Sequence, residues 1–198
     1  IKVSAGTSVS ISSDSNIKGL YIAFNRIPSP WKLDVNGTSV DCGQNGFLHE
    51  YVELPEAATS ITMNFDSDTS ICYIECYSEG ELPRDVQVWE PACERADILM
   101  ISAHSDDEIL FMGGIIPTYA AEQGARVQVA YMTEIWSSAP VREHEKLDGL
   151  WTDGLRTYPV CGNFKDIYTE NLADAEKKYD IDAMADYVAG IIDEFEIA

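Results

Sequence analysis

The sequence predicts a β-rich first domain followed by a parallel α/β second domain, on three observations. Up to about Trp89, short apolar runs of period 2 recur roughly every ten residues with turn residues between them. From Asp97 onward, short apolar strands alternate with helical stretches, the pattern of a parallel sheet with crossover helices. Between the two lies Glu79-Gly-Glu-Leu-Pro-Arg-Asp85, leading to Pro91, a polar stretch that reads as a boundary. The expected domains are residues 1–89 and 90–198.

In the first domain Gly19 to Phe24 alternates Leu20, Ile22 and Phe24 on one face. Trp31–Val35 and Thr38–Cys42 are joined by Asn36-Gly37, a strong hairpin signal because both central residues of a type I′ turn need positive φ. Asn36-Gly37-Thr38 is also a glycosylation sequon, which the turn explains fully. Phe47–Leu54, Ser60–Phe65 and Ser70–Tyr77 supply further strands. The expected architecture is a β-sandwich, of jelly-roll, galactose-binding-like form. Trp31, Tyr73, Tyr77 and Trp89 could stack on sugar rings, but aromatics in a small sandwich usually form core.

In the second domain Ile98–Ile101 and Val127–Tyr131 read as buried strands. A helix over Gly113–Gln123 carries Pro117 near its start and Gly124 as its stop. A second helix is expected over Pro140–Gly154, a third strand around Tyr158–Cys161 and a third helix over Ile181–Phe195. The expected fold is a Rossmann-like parallel α/β domain. The chain starts at Ile1 rather than Met and ends at Glu194-Phe-Glu-Ile-Ala198, where another strand is due. It is therefore expected to be an excised segment, truncated within its second domain.

Composition narrows the partners. Against 34 acidic residues stand 13 basic ones, for a formal net charge of -21, and both halves are acidic. With no basic patch to neutralise phosphates, neither nucleic acid nor an anionic membrane surface is an expected partner. No apolar run approaches the roughly 20 residues that span a bilayer, so no membrane insertion is expected. The five cysteines (42, 72, 76, 93 and 161) are odd in number and irregular in spacing, so at least one is not paired within the chain. Cys72 and Cys76 are too far apart on one strand to bond each other and read as small core residues. The β module and acidic surface lead to an expected secreted or bacterial cell-surface location.

The stretch that carries chemistry is Ala103-His104-Ser105-Asp106-Asp107-Glu108, directly after the apolar strand Ile98–Ile101. Ligands in open α/β sheets bind at the carboxyl ends of strands. Imidazole and carboxylate are both zinc donors, and a turn can bring His104 and Asp107, at i and i+3, onto one ion. Asp106 is then left beside the metal, where a general base belongs. A carboxylate here could instead cap the next helix, which is the plainer reading for Asp107 or Glu108 taken alone.

Ala103-His-Ser-Asp-Asp-Glu108, then Gly113-Gly114, then Gly124-Ala-Arg-Val-Gln-Val-Ala-Tyr-Met-Thr133 resembles the LmbE/PIG-L-like family of zinc-dependent N-acetylglucosaminyl deacetylases, whose signature is Ala-His-Pro-Asp-Asp-Glu. The resemblance covers about residues 95–198 and leaves out the β half. It implies that His104 and Asp107 are zinc ligands and that Asp106 is the general base. Arg142-Glu-His-Glu145 is similar to the family's sugar-holding Arg-x-x-Glu, which implies substrate binding by Arg142. Ser105 stands where the family has proline. The family's third zinc ligand comes from a His-x-x-His motif, and the histidines here are His49, His104 and His144 alone; that ligand is expected beyond Ala198.

The implied activity is hydrolysis of the acetamide of an N-acetylated sugar or glycoconjugate, with Zn2+ as cofactor and Asp106 taking the proton of the attacking water. With only two protein ligands this segment is expected to bind zinc weakly and turn over poorly. One alternative is a zinc amidase acting on a non-sugar acyl amide. The other is a non-catalytic carbohydrate-binding surface protein that has kept the fold. Among lesser candidates, His144 reads as a solvated helix residue. Cys161, Asn163 and Asp166 share the strand edge with the motif, and Glu134 and Trp136 are possible rim residues.

Overall fold

The computed structural model describes residues 1–133 and 140–197. The chain divides into two compact units, Ile1–Trp89 and Glu90–Ala198.

The first unit is one large, curled antiparallel sheet. Its strands are β1 (Lys2–Val3), β2 (Thr7–Phe24), β3 (Trp31–Val35), β4 (Thr38–Cys42), β5 (His49–Phe65) and β6 (Thr69–Tyr77), in the spatial order β1-β6-β2-β5-β3-β4. The two runs expected as separate strands, Phe47–Leu54 and Ser60–Phe65, fuse into β5. Pairing with β2 shifts between Ser12↔Ser60, Ile17↔Ala58 and Gly19↔Glu53. Pro55 falls inside that irregular stretch, where its missing N–H interrupts no ladder bond. Such irregularities let long strands bend, which suits the curl of the sheet.

Leu20, Ile22 and Phe24 are fully buried, as their alternation predicts. The hairpin also forms as read, with Asn36 at φ 48° and Gly37 at φ 87°. Trp31 stacks on Phe65 with ring centroids 5.5 Å apart, an arrangement that adds about 0.5–1.5 kcal/mol to the burial itself. Trp31 and Trp89 are buried, whereas Tyr73 is exposed and Tyr77 half-buried. The core reading of two cysteines is corrected. Cys72 and Cys76 project from the exposed part of β6, and none of the five cysteines forms a disulfide.

The second unit is built on a parallel sheet in the order β7 (Ile98–Ser102), β8 (Val127–Thr133), β9 (Val160–Phe164). Around it lie α1 (Asp107–Leu110), a π-helix (Ile116–Glu122), α2 (Val141–Asp153), α3 (Leu172–Lys178) and α4 (Ile181–Glu194). Pro117 sits in the first turn of the π-helix, and Gly124 follows it at φ 70°. Gly154 closes α2 in the left-handed conformation. The third strand starts two residues later than expected. Glu90 takes the preceding segment instead, accepting from the Tyr158 N–H at 2.9 Å and donating to the Arg156 carbonyl at 2.9 Å.

Ile191 of α4 and Phe195, which caps it, pack with Ala96 and Ala130, with Val160 and Tyr187 at the margin. The central strand carries the fully buried amide side chain of Gln128. Its amide donates to the Val129 and Tyr158 carbonyls and accepts from the Cys93 N–H, so its burial is satisfied. No helix among the described residues is long and apolar enough to cross a membrane.

Candidate active site at the end of the first parallel strand

Backbone bonds between strands fix the loop after β7. The Ala103 carbonyl accepts from both the Thr133 N–H, at 3.1 Å, and the Thr133 hydroxyl, at 2.7 Å. The motif therefore emerges from the carboxyl end of the sheet, where open α/β folds hold ligands.

His104 and Asp107 do come together. Asp107 Oδ2 accepts the His104 backbone N–H at 3.0 Å and lies 3.6 Å from His104 Nδ1. Two donors each about 2.0–2.2 Å from a tetrahedral zinc stand about 3.4 Å from each other. The spacing and the donor types thus fit two of the four positions around that ion. Among the described residues no group of three His, Cys, Asp or Glu side chains is placed to hold a metal. His104 is half-exposed, and its Nε2 lies 3.2 Å from Asp166 Oδ1, beyond the end of β9.

Asp106 is not left free, as the sequence reading had it. It holds φ 114°, a region that non-glycine residues seldom adopt and that costs of order 1–3 kcal/mol. Its N–H donates to Glu108 Oε2 at 3.1 Å, and its Oδ2 lies 3.2 Å from the Arg142 guanidinium. Arg142, from the first turn of α2, also donates to the Ser105 carbonyl at 3.2 Å and pairs with Glu145 at 3.4 Å. The carboxylates of Asp106 and Glu145 raise its pKa, Asp106 contributing most. Arg142 is thus both at the site and an ion-pair partner within it.

Beneath these residues lies a buried polar group that the sequence reading did not pick out. Glu108, Glu143, Lys146 and Tyr131 are all buried. Lys146 meets Glu143 at 2.6 Å and sits 4.9 Å over the Tyr131 ring. Neither Glu108 Oε1 nor the Tyr131 hydroxyl has a partner at hydrogen-bonding geometry among the described residues. Burial raises the Tyr131 pKa, and the nearby Glu108 carboxylate adds to the rise. Ser105, Asp106, Glu108, Ile109, Arg142 and Lys146 line a cleft of about 290 Å³. One signal could have found Lys146, because positions 142 and 146 lie on one helix face. Nothing local marks Glu108 as buried.

Of the lesser candidates, Asp166 reaches His104, while Cys161 donates through its thiol to the Thr133 carbonyl at 2.8 Å. Asn163 donates to the Cys161 carbonyl at 3.3 Å. His144 is half-buried rather than solvated, and burial lowers its pKa below the ordinary value. Glu134 and Trp136 lie outside the described residues.

Compared with protein-family models, with curated proteins and with solved structures, the chain matches none.

Proposed function

We propose that the second unit carries a zinc-dependent N-deacetylase site of the LmbE/PIG-L-like kind, acting on an N-acetylated sugar. The observation that carries the reading is the pairing of His104 Nδ1 with Asp107 Oδ2 at 3.6 Å beside a cleft that Asp106 and Arg142 line. A candidate metal-ligand pair, a carboxylate that is not one of those ligands and a guanidinium paired with it form the set that amide hydrolysis needs.

His104 and Asp107 are the residues that would hold the zinc. When bound, zinc supplies a Lewis acid and lowers the pKa of a water to about 7. Asp106 takes a proton from the attacking water and returns it to the departing amine. Its unusual backbone conformation fixes the carboxylate toward Arg142 before substrate arrives, which reduces the ordering left to binding. Arg142 orients Asp106 through one amino group and keeps further donors for sugar hydroxyls.

The remaining elements of the reading follow the same line. The second unit is a Rossmann-like domain, the first a jelly-roll, galactose-binding-like module that supports or binds glycan, and the protein works outside the cell. The presence of only two well-placed donors among the described residues favours a second reading. In it the protein binds carbohydrate without catalysis.

One experiment separates the two. Zinc content and release of acetate from an N-acetylglucosaminide are measured on the full chain and on two variants. The deacetylase reading expects His104→Ala to lose both metal and activity, and Asp106→Asn to keep zinc while losing turnover. Metal and activity surviving in His104→Ala would sink the site assignment. Sugar binding without acetate release would favour the non-catalytic reading.

A further inference from the structure

The imidazole of His104 has a carboxylate on each side, and the two separations differ in kind. On one side Nδ1 stands 3.6 Å from Asp107 Oδ2, beyond the roughly 2.7–3.2 Å of an N–H···O bond. That oxygen is already engaged by the His104 backbone N–H. On the other side Nε2 stands 3.2 Å from Asp166 Oδ1, within ion-pair reach and hydrogen-bond distance, though the ring N–H is not aligned on that oxygen. A neutral imidazole carries its proton on one nitrogen only, and a metal takes the other.

We infer that Asp166 is the positioning carboxylate of the metal site: with the ion bound, the half-exposed ring of His104 turns its Nε2–H onto Asp166 and so presents the Nδ1 lone pair to Asp107 and the ion. This rests on the zinc reading above and extends it to a residue that supplies no metal bond. Metal-bound histidines commonly donate their second ring N–H to a carboxylate, which fixes tautomer and ring plane and makes the ligand more basic. The topology provides for it here. His104 follows β7, Asp166 follows β9, and the two strands flank β8 in a parallel sheet, so both loops leave from the same edge. A plain surface ion pair between two half-exposed groups contributes little, and it would not govern which nitrogen binds metal.

The test uses the full chain, zinc alone as the probe, and a competing chromogenic chelator as the readout. Asp166→Asn should raise the zinc Kd about 10–100-fold, the range seen when such outer partners are removed. Asp166→Glu should restore most of the affinity, and thermal melts should show both variants folded. In nitrogen-15 NMR of the wild type, zinc should shift the Nδ1 signal of His104 while Nε2 keeps its proton. Wild-type zinc affinity in Asp166→Asn, or a zinc-induced shift at Nε2, overturns the inference. His104→Ala tells the two levels apart. If it binds zinc as tightly as the wild type, the metal site itself falls and the inference with it. If it weakens binding while Asp166→Asn does not, the role of Asp166 alone falls.

Discussion

Glu143 and Lys146 meet at 2.6 Å on one face of α2 with both side chains about 3% exposed. Burial pushes the Glu143 carboxyl above its ordinary pKa, and the neighbouring ammonium opposes that shift. Removing one member leaves the other charge buried without compensation. Lys146→Met should therefore destabilise the second unit by about 3–5 kcal/mol. The double change Glu143→Leu with Lys146→Met should cost less than that single one. Urea unfolding of the three proteins checks it, and equal or greater loss in the double variant would refute the account.

Arg142 holds Asp106 from the exposed side of the cleft, so its removal should leave the fold intact and alter the chemistry. Arg142→Gln should change stability by no more than about 0.5 kcal/mol, as is usual for surface positions. Under the proposed deacetylase activity its kcat/KM should fall roughly tenfold or more, the scale of one charge-assisted hydrogen bond. Steady-state kinetics together with a thermal melt separate the two effects.

Gly154 ends α2 at φ 102°, and a Cβ there would come within 2.5 Å of Ala121 Cβ. Gly154→Ala therefore meets both a backbone penalty and a clash with the π-helix. A loss of about 1–3 kcal/mol is expected. Adding Ala121→Gly should recover the steric part and leave the backbone part, which denaturant melts can resolve.

Asp97 and Arg126 pair at 3.0 Å where β7 and β8 begin, and hydrogen bonding to the guanidinium lowers the Asp97 pKa to about 2. The unfolded chain has its aspartates near 3.9, as in model peptides. A depressed carboxylate stabilises the fold above the unfolded pKa, and that contribution disappears as pH falls from about 4 to about 2. Asp97→Asn should flatten the stability profile over that window and leave its slope near neutral pH unchanged. Urea midpoints measured across acid pH test this.

The parts of the fold that were legible are those with local causes. Asn36-Gly37 reports its own turn, Gly124 and Gly154 their own stops, and the apolar runs of β7 and β8 their own burial. The joining of two expected strands into β5 was not legible, because Pro55 looks like a break unless the irregular pairing opposite it is known. Helix α3 went unseen although Asn171 caps it by accepting from the Asp174 N–H at 3.1 Å. Its buried face is negligible, so hydrophobic periodicity gave no signal. At the site, His104, Asp106 and Asp107 were readable as a sequence-local motif. Asp166, Glu108 and Lys146 join it through tertiary placement: the strand edge and the helix face point to Asp166 and Lys146, but the burial of Glu108 has no local sign.

The long pairing of β2 with β5 sets how the first unit can fold. Ser8 and Asn64 bond across 56 positions of chain, and even the pair nearest in sequence, Ala23 with His49, must close a loop before the two strands can zip. Contacts so distant in sequence place the entropy of loop closure before most of the stabilising pairing. Refolding of this unit should be slow for its size, and a nascent chain must emerge past Phe65 before Thr7 finds its partner. Until its partners in β5 and β6 have emerged, the apolar stretch Leu20–Phe24, buried throughout in the finished sheet, stands open to other chains.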